Sequence, residues 1–181
     1  MLQADVGFQW ASLGALSDSN LVDGELISDQ ALGLAIGAGA GVRLLYLTAG
    51  VRFRFGLLDT AQLWSVGLEG NLRIPRGAFE PFFLVGAGYA QAGAFEGEDQ
   101  VFALGNKVGE LTARGLDVRL GGGFDYFITP VFSAGIRADA ELLLLRRPAS
   151  IEIEDGSSVY EEDGSSVGVS ASGIASLGLH F

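Results

Sequence analysis

The sequence predicts an all-β fold, a closed up-and-down antiparallel barrel of eight strands, on three observations. Apolar residues recur at every second position through eight stretches, the links between stretches alternate long and short, and the final run, SGIASLGLHF, alternates up to a terminal aromatic ring. A single domain over residues 1-181 is expected, because that length is ample for one small barrel. Domain ends usually fray into polar residues. An ending inside a greasy strand calls for another explanation.

The first stretch sets Leu2, Ala4, Val6, Phe8 and Trp10 against Gln3, Asp5, Gly7 and Gln9. In the second, Leu32, Leu34, Ile36, Ala38, Ala40 and Val42 alternate with glycines and Arg43, and in the third Leu47, Ala49, Val51, Phe53 and Phe55 alternate with Thr48, Gly50, Arg52 and Arg54. The fourth opposes Trp64, Val66, Leu68, Leu72 and Ile74 to Ser65, Gly67, Glu69, Asn71 and Arg73; the fifth opposes Phe83, Val85, Ala87 and Tyr89 to Gly86 and Gly88. The sixth runs Leu116, Val118, Leu120, Phe124 and Tyr126 against Asp117, Arg119, Gly121, Gly123 and Asp125. The seventh runs Phe132, Ala134, Ile136, Ala138, Ala140 and Leu142 against Ser133, Gly135, Arg137, Asp139 and Glu141, and the terminal run, with Ala175, Leu177, Leu179 and Phe181 on one side, makes the eighth.

Residues 30 to 51 are apolar enough to pass for a transmembrane helix, with Gly33, Gly37 and Gly41 at the spacing of a packing face. Arg43 in mid-segment without a counter-charge and the density of glycine count against it. The same glycines suit the small face of a strand. Long links are expected at residues 13 to 31, 56 to 61, 91 to 112 and 145 to 166, and short ones near Leu45, at PRGAFEP and at ITP. All long links then lie at one end of the array, and both termini at the other.

Composition says which face meets what. A net charge of -11 and a pI near 4.3 coexist with a mean hydropathy of +0.36 and 49% hydrophobic residues, so polar residues must be segregated. No basic stripe is available for a nucleic acid, and no cysteine for a disulfide or a thiolate-bound metal. A soluble ligand carrier of lipocalin type would turn its large apolar side chains inward. Here the polar face is mostly glycine, serine and alanine with a few arginines and carboxylates, which suits a narrow tube, and the apolar face carries Trp10, Trp64, Phe53, Phe55, Tyr126 and Phe132 near stretch ends as interfacial girdles. Each stretch has about the 9 to 11 residues that a tilted strand needs to cross a bilayer. The expected fold is therefore a transmembrane barrel.

On the inward face, Arg43, Arg52, Arg54, Arg73, Arg119 and Arg137 balance Asp5, Glu69, Asp117, Asp125, Asp139 and Glu141. Unpaired charges in a low-dielectric lumen cost several kcal/mol. The balance predicts a lumen plugged by ion pairs, with the whole excess of negative charge on links and stretch ends.

Eight amphipathic strands, the link pattern, the glycine-rich faces and the terminal Phe181 resemble the OmpA/OmpX-type outer-membrane β-barrel superfamily of Gram-negative bacteria over essentially the whole chain. EPFFLVGAGYA and GGGFDYFITPVFSAGIRA are similar to its periplasmic-turn hairpins. The resemblance implies placement in the bacterial outer membrane among lipid and lipopolysaccharide, and a closing strand read by the barrel-assembly machinery. Phe181 and Leu179 match that signal, while Ser176 stands where Gly is usual and Ile174 where a polar residue is usual. No leader is visible at MLQADVGFQW, so an exported protein is expected here in mature form with an added start methionine.

Catalytic, cofactor and metal residues are not expected. The single histidine, His180, has Ser176 and Ser172 on its own face, too far along the strand for a hydrogen bond, and one histidine makes no metal cluster. Lipid A-modifying barrels resemble the chain in size but place their histidine near the outer rim. EDGSSV occurs twice, eight residues apart, within residues 154 to 167; it reads first as a solvated acidic loop and second as a ribbon continuing the seventh strand through SIEIE. Glu152, Glu154, Asp155, Glu161, Glu162 and Asp163 offer a weak Ca²⁺ or Mg²⁺ site without EF-hand spacing. The expected role is an envelope-structural or adhesive one, carried by the outer links toward a protein partner, alone or within an envelope complex. A narrow passive channel and a soluble carrier are the alternatives.

Overall fold

Eight strands form one sheet that closes on itself: β1 (Leu2–Ser12), β2 (Gln30–Leu44), β3 (Leu47–Leu58), β4 (Gln62–Arg73), β5 (Phe79–Gly93), β6 (Ala113–Thr129), β7 (Phe132–Arg147) and β8 (Gly164–Leu179). Each pairs antiparallel with its sequence neighbours, and β1 closes the ring on β8 from Leu2 against Leu179 to Ser12 against Val169. This computed structural model describes residues 1–12, 30–59, 61–93, 113–147 and 164–181. Among them no helix is long and apolar enough to cross a membrane; residues 30 to 51 are β2, a tight turn and the start of β3.

Strands run past the expected stretches wherever alternation persists. The link expected at 56 to 61 shrinks because period two continues through Leu58 and resumes at Gln62. Residues 154–163 of the acidic repeat, with its carboxylates, lie outside the described residues, while Gly164–Val167 of its second copy open β8. At the opposite end the turns are short. Leu45, between β2 and β3, adopts a φ of 55°, a left-handed conformation that strains any residue with a Cβ. Gly77 takes a φ of 68° between β4 and β5 without that strain.

The ring closes with a stagger. Starting at Val6 and stepping through paired residues Ile36, Phe55, Trp64, Gln91, Arg114 and Arg146 leads to Ser165, whereas Val6 itself pairs with Ala175, ten residues further along β8. Eight strands with that stagger tilt by roughly 40°, so each residue climbs ~2.5 Å along the barrel axis and each step across the sheet from β1 toward β8 climbs ~3 Å.

The polarity is inverted relative to a soluble barrel. Phe8 is 66% exposed and Leu68 69%, while Arg73 is 1% exposed and Arg52, Arg54, Arg119 and Arg137 are all buried inside. A soluble carrier would bury the leucines, so that alternative is overturned. On the exterior, Trp10, Trp64 and Tyr89 share one level, and Trp64 and Tyr89 touch with ring centroids 5.6 Å apart. Tyr126 and Phe132 lie roughly 25 Å below them, the height of the apolar band of a membrane barrel. Phe53 falls between the two belts, two residues below Phe55 on β3.

Candidate functional site: the charged lumen

Alternation sends one residue in two inward, and register decides what each meets. Opposite most lumen charges stands a glycine: Asp5 faces Gly37, Arg52 faces Gly39 and Gly67, Glu69 faces Gly50 and Gly86, Asp117 faces Gly88, Asp139 faces Gly121, Arg137 faces Gly123 and Asp125 faces Gly135. The missing side chains make room for long ones in a narrow tube. A Cβ on Gly88 would lie 2.7 Å from Asp117 Oδ1, and one on Gly121 2.6 Å from Asp139 Cβ.

At the end that holds the termini, the Glu80 carboxylate accepts from Arg43 at 2.9 and 2.7 Å and from Arg73 at 2.9 Å. Arg73 also reaches Asp125 at 2.7 Å and Thr48 Oγ1 at 3.0 Å, with its guanidinium 4.9 Å from the Phe82 ring centroid. Higher up, Arg52 pairs with Asp5 and with Glu69 at 3.0 Å, and Arg137 reaches Glu69 at 3.4 Å. Arg54 grips Asp139 with two nitrogens at 2.9 and 3.0 Å, and Ser172 Oγ donates to the same carboxylate at 2.8 Å. Arg119 joins Glu141 at 2.7 Å, Asp117 at 3.1 Å and Ser65 Oγ at 3.0 Å.

Two features depart from the sequence reading. Glu80, expected among link charges, is a lumen residue, because β5 begins at Phe79 and alternation turns Glu80 inward. Among the described residues the inward face therefore holds seven carboxylates against six arginines rather than an equal number, with Arg43 partly exposed at the rim. The other is an apolar layer inside the outer end, made by Ala11, Ala61, Leu63, Ala90, Ala92, Ala113, Leu143 and Leu145, with Leu58 packed on it. Its signal in the sequence is the run Leu142–Leu145, apolar on both faces where the rest of the strand alternates.

His180 follows β8 and meets a serine that its own strand does not supply. Its Nε2 lies 2.9 Å from Ser133 Oγ on β7, and its ring packs on Phe127 with centroids 4.8 Å apart. Burial, with the positive charge of Arg73 adding to it, holds the imidazole pKa below its usual 6.5. Ser172 and Ser176 face the lumen elsewhere on β8. Ser133 is 1% exposed and His180 half-buried, so the serine hydroxyl of the pair is shielded from solvent. Among the described residues no group of His, Cys, Asp and Glu has the arrangement of a metal site.

No protein-family model and no curated protein matches the sequence. Solved structures do. Neisserial surface protein A superposes with a TM-score of 0.67 at 16% identity, over 99% of this chain and 96% of that one. The fold is that of the eight-stranded outer-membrane β-barrels. The outer membrane protein OprG from Pseudomonas aeruginosa follows at a TM-score of 0.54 and 13% identity, over 99% of this chain and 96% of that one. The outer membrane enzyme PagL superposes at 0.51 and 13% identity, over 97% of each chain. A fold that hosts an enzyme among its members does not by itself decide activity.

Proposed function

We propose that the protein is an integral barrel of the bacterial outer membrane with a sealed lumen, acting as an envelope-structural or interaction protein through its acidic outer links. It is read as neither passing solutes nor turning over a substrate. The observation that carries this is the stacking of an apolar layer on three tiers of arginine–carboxylate contacts inside one narrow tube. An ion entering from the outer side meets an apolar constriction and then side chains already paired with one another. The only histidine pairs with Ser133, a hydroxyl that is itself buried, at the far end, which argues against its use as a general base toward a bound substrate. Phe181 and Leu179 at the end of the closing strand fit a role in insertion by the assembly machinery.

Planar lipid bilayers containing the purified barrel test the sealed state. The expected trace is flat, without discrete steps. Replacement of residues 94–112 and 148–163 by short hairpin turns is expected to leave heat-dependent gel migration intact and to abolish adhesion of producing cells to a protein-coated surface. Stepwise conductance that grows on Leu143→Ser would make the protein a channel instead. Unchanged adhesion after both replacements would remove these two links from the function.

A further inference from the structure

Outside the lumen, two arginines stand side by side just beyond the outer aromatic belt. Arg114 on β6 and Arg146 on β7 are exposed on the exterior and are direct register partners. Like charges placed opposite each other in neighbouring strands repel. Neither makes an ion pair with any described residue, unlike the arginines inside. Gln91 on β5 is the register partner of Arg114 on its other side and brings a third polar side chain to the row.

Their height is set by the stagger of the barrel. Gln91 pairs with Trp64, so the row that starts at the outer aromatic belt climbs through Gln91 to Arg114 and Arg146. At ~3 Å per strand it reaches Arg114 about 6 Å and Arg146 about 9 Å above Trp64. That is headgroup level, just outside the apolar band. Directly below, Leu116, 61% exposed, and Leu144 pair with each other on the same face and offer an apolar track along the two strands.

We infer that Arg114 and Arg146 form a site for the phosphate of an outer-leaflet lipid, whose acyl chains lie against the β6–β7 face below. This rests on the transmembrane placement proposed above. A phosphate monoester carries close to two negative charges and three acceptor oxygens, so one group can neutralise both guanidinia and accept from each. A single anion bound between them turns a repulsive cross-strand pair into a bridge. A free phosphate lacks the chains that the leucine track would hold.

The test uses the full-length barrel in vesicles of zwitterionic phospholipid doped with phosphatidic acid, whose headgroup is a phosphate monoester. The barrel is then extracted into mild detergent and its retained lipid counted by native mass spectrometry. Wild type is expected to keep one phosphatidic acid per barrel against a high concentration of inorganic phosphate. Arg114→Gln and Arg146→Gln are each expected to lower retention about tenfold, as for loss of one charge-assisted contact. Arg76→Gln, in an exposed turn at the opposite end, is expected to change nothing. Equal retention by the Arg114→Gln/Arg146→Gln double variant would overturn the site. So would an equal fall in Arg76→Gln, or displacement by inorganic phosphate alone. Gel migration before and after boiling is read on every sample: a barrel that is not folded and inserted would contradict the placement, a failure separate from loss of lipid in an intact one.

Discussion

Arg54→Met removes the guanidinium that grips Asp139 and leaves a volume close to the original. Asp139 then keeps the Ser172 hydroxyl at 2.8 Å and Arg137 at 3.6 Å, in a site where its side chain is 1% exposed. Removing one partner of a buried pair costs ~3–5 kcal/mol, because the other charge stays buried. The remaining contacts of Asp139 place the cost at the lower end, about 3 kcal/mol. Asp139→Asn is expected to cost about the same, since it leaves Arg54 with the Ser172 hydroxyl at 3.3 Å and a carboxylate no nearer than Glu141 at 3.9 Å. The double variant removes both charges together and is expected to cost about 3–4 kcal/mol, a coupling of about 2–3 kcal/mol. Urea unfolding of the barrel in lipid vesicles, followed by tryptophan fluorescence and by gel migration, measures all three. Single losses below about 1 kcal/mol that simply add in the double variant would refute the reasoning, because the lumen would then be wet enough to solvate either charge alone.

The glycine rows predict asymmetry between the two faces. Gly121→Val is expected to destabilise by about 1–3 kcal/mol in the same assay, since its Cβ would meet Asp139 Cβ at 2.6 Å. Gly173→Ala, whose Cβ meets nothing within 4 Å, is expected to stay within about 0.5 kcal/mol of wild type. His180 supplies a pH dependence. Its folded pKa lies below 6.5, so its contact with Ser133 is fully present above that pH and is lost as pH falls through the lowered value. Nuclear magnetic resonance of the single imidazole should show a midpoint under 6.5, and His180→Phe should flatten the acid limb of the stability curve; a midpoint at or above 6.5 counts against the buried contact.

Strand number, strand order and the inside-out polarity were legible in the sequence, because period two assigns each residue to a face and the size difference between faces says which is crowded. Alternation and size alone turn Asp5, Arg52 and Asp139 inward, and all three are buried in the lumen. Pairing partners were not legible. Arg54 meets Asp139 across the tube, 85 residues away, and only the stagger of the closed ring brings them level. Glu80 is hidden because the apolar run PFF masks the strand's start, and Ser133 because it lies on β7, 47 residues from His180. The apolar layer at the outer mouth is not legible because a continuous leucine run has no period to read.

The most direct test of the account is an electron paramagnetic resonance scan of β8, made simple by a chain without native cysteine. Spin labels at successive single-cysteine positions from Ser170 to Leu177, in lipid vesicles, report collision with membrane-dissolved oxygen. Peaks are expected at Ala171, Gly173, Ala175 and Leu177 and troughs at Ser170, Ser172, Ile174 and Ser176. Peaks on the serine face, or oxygen access without alternation, would contradict the account.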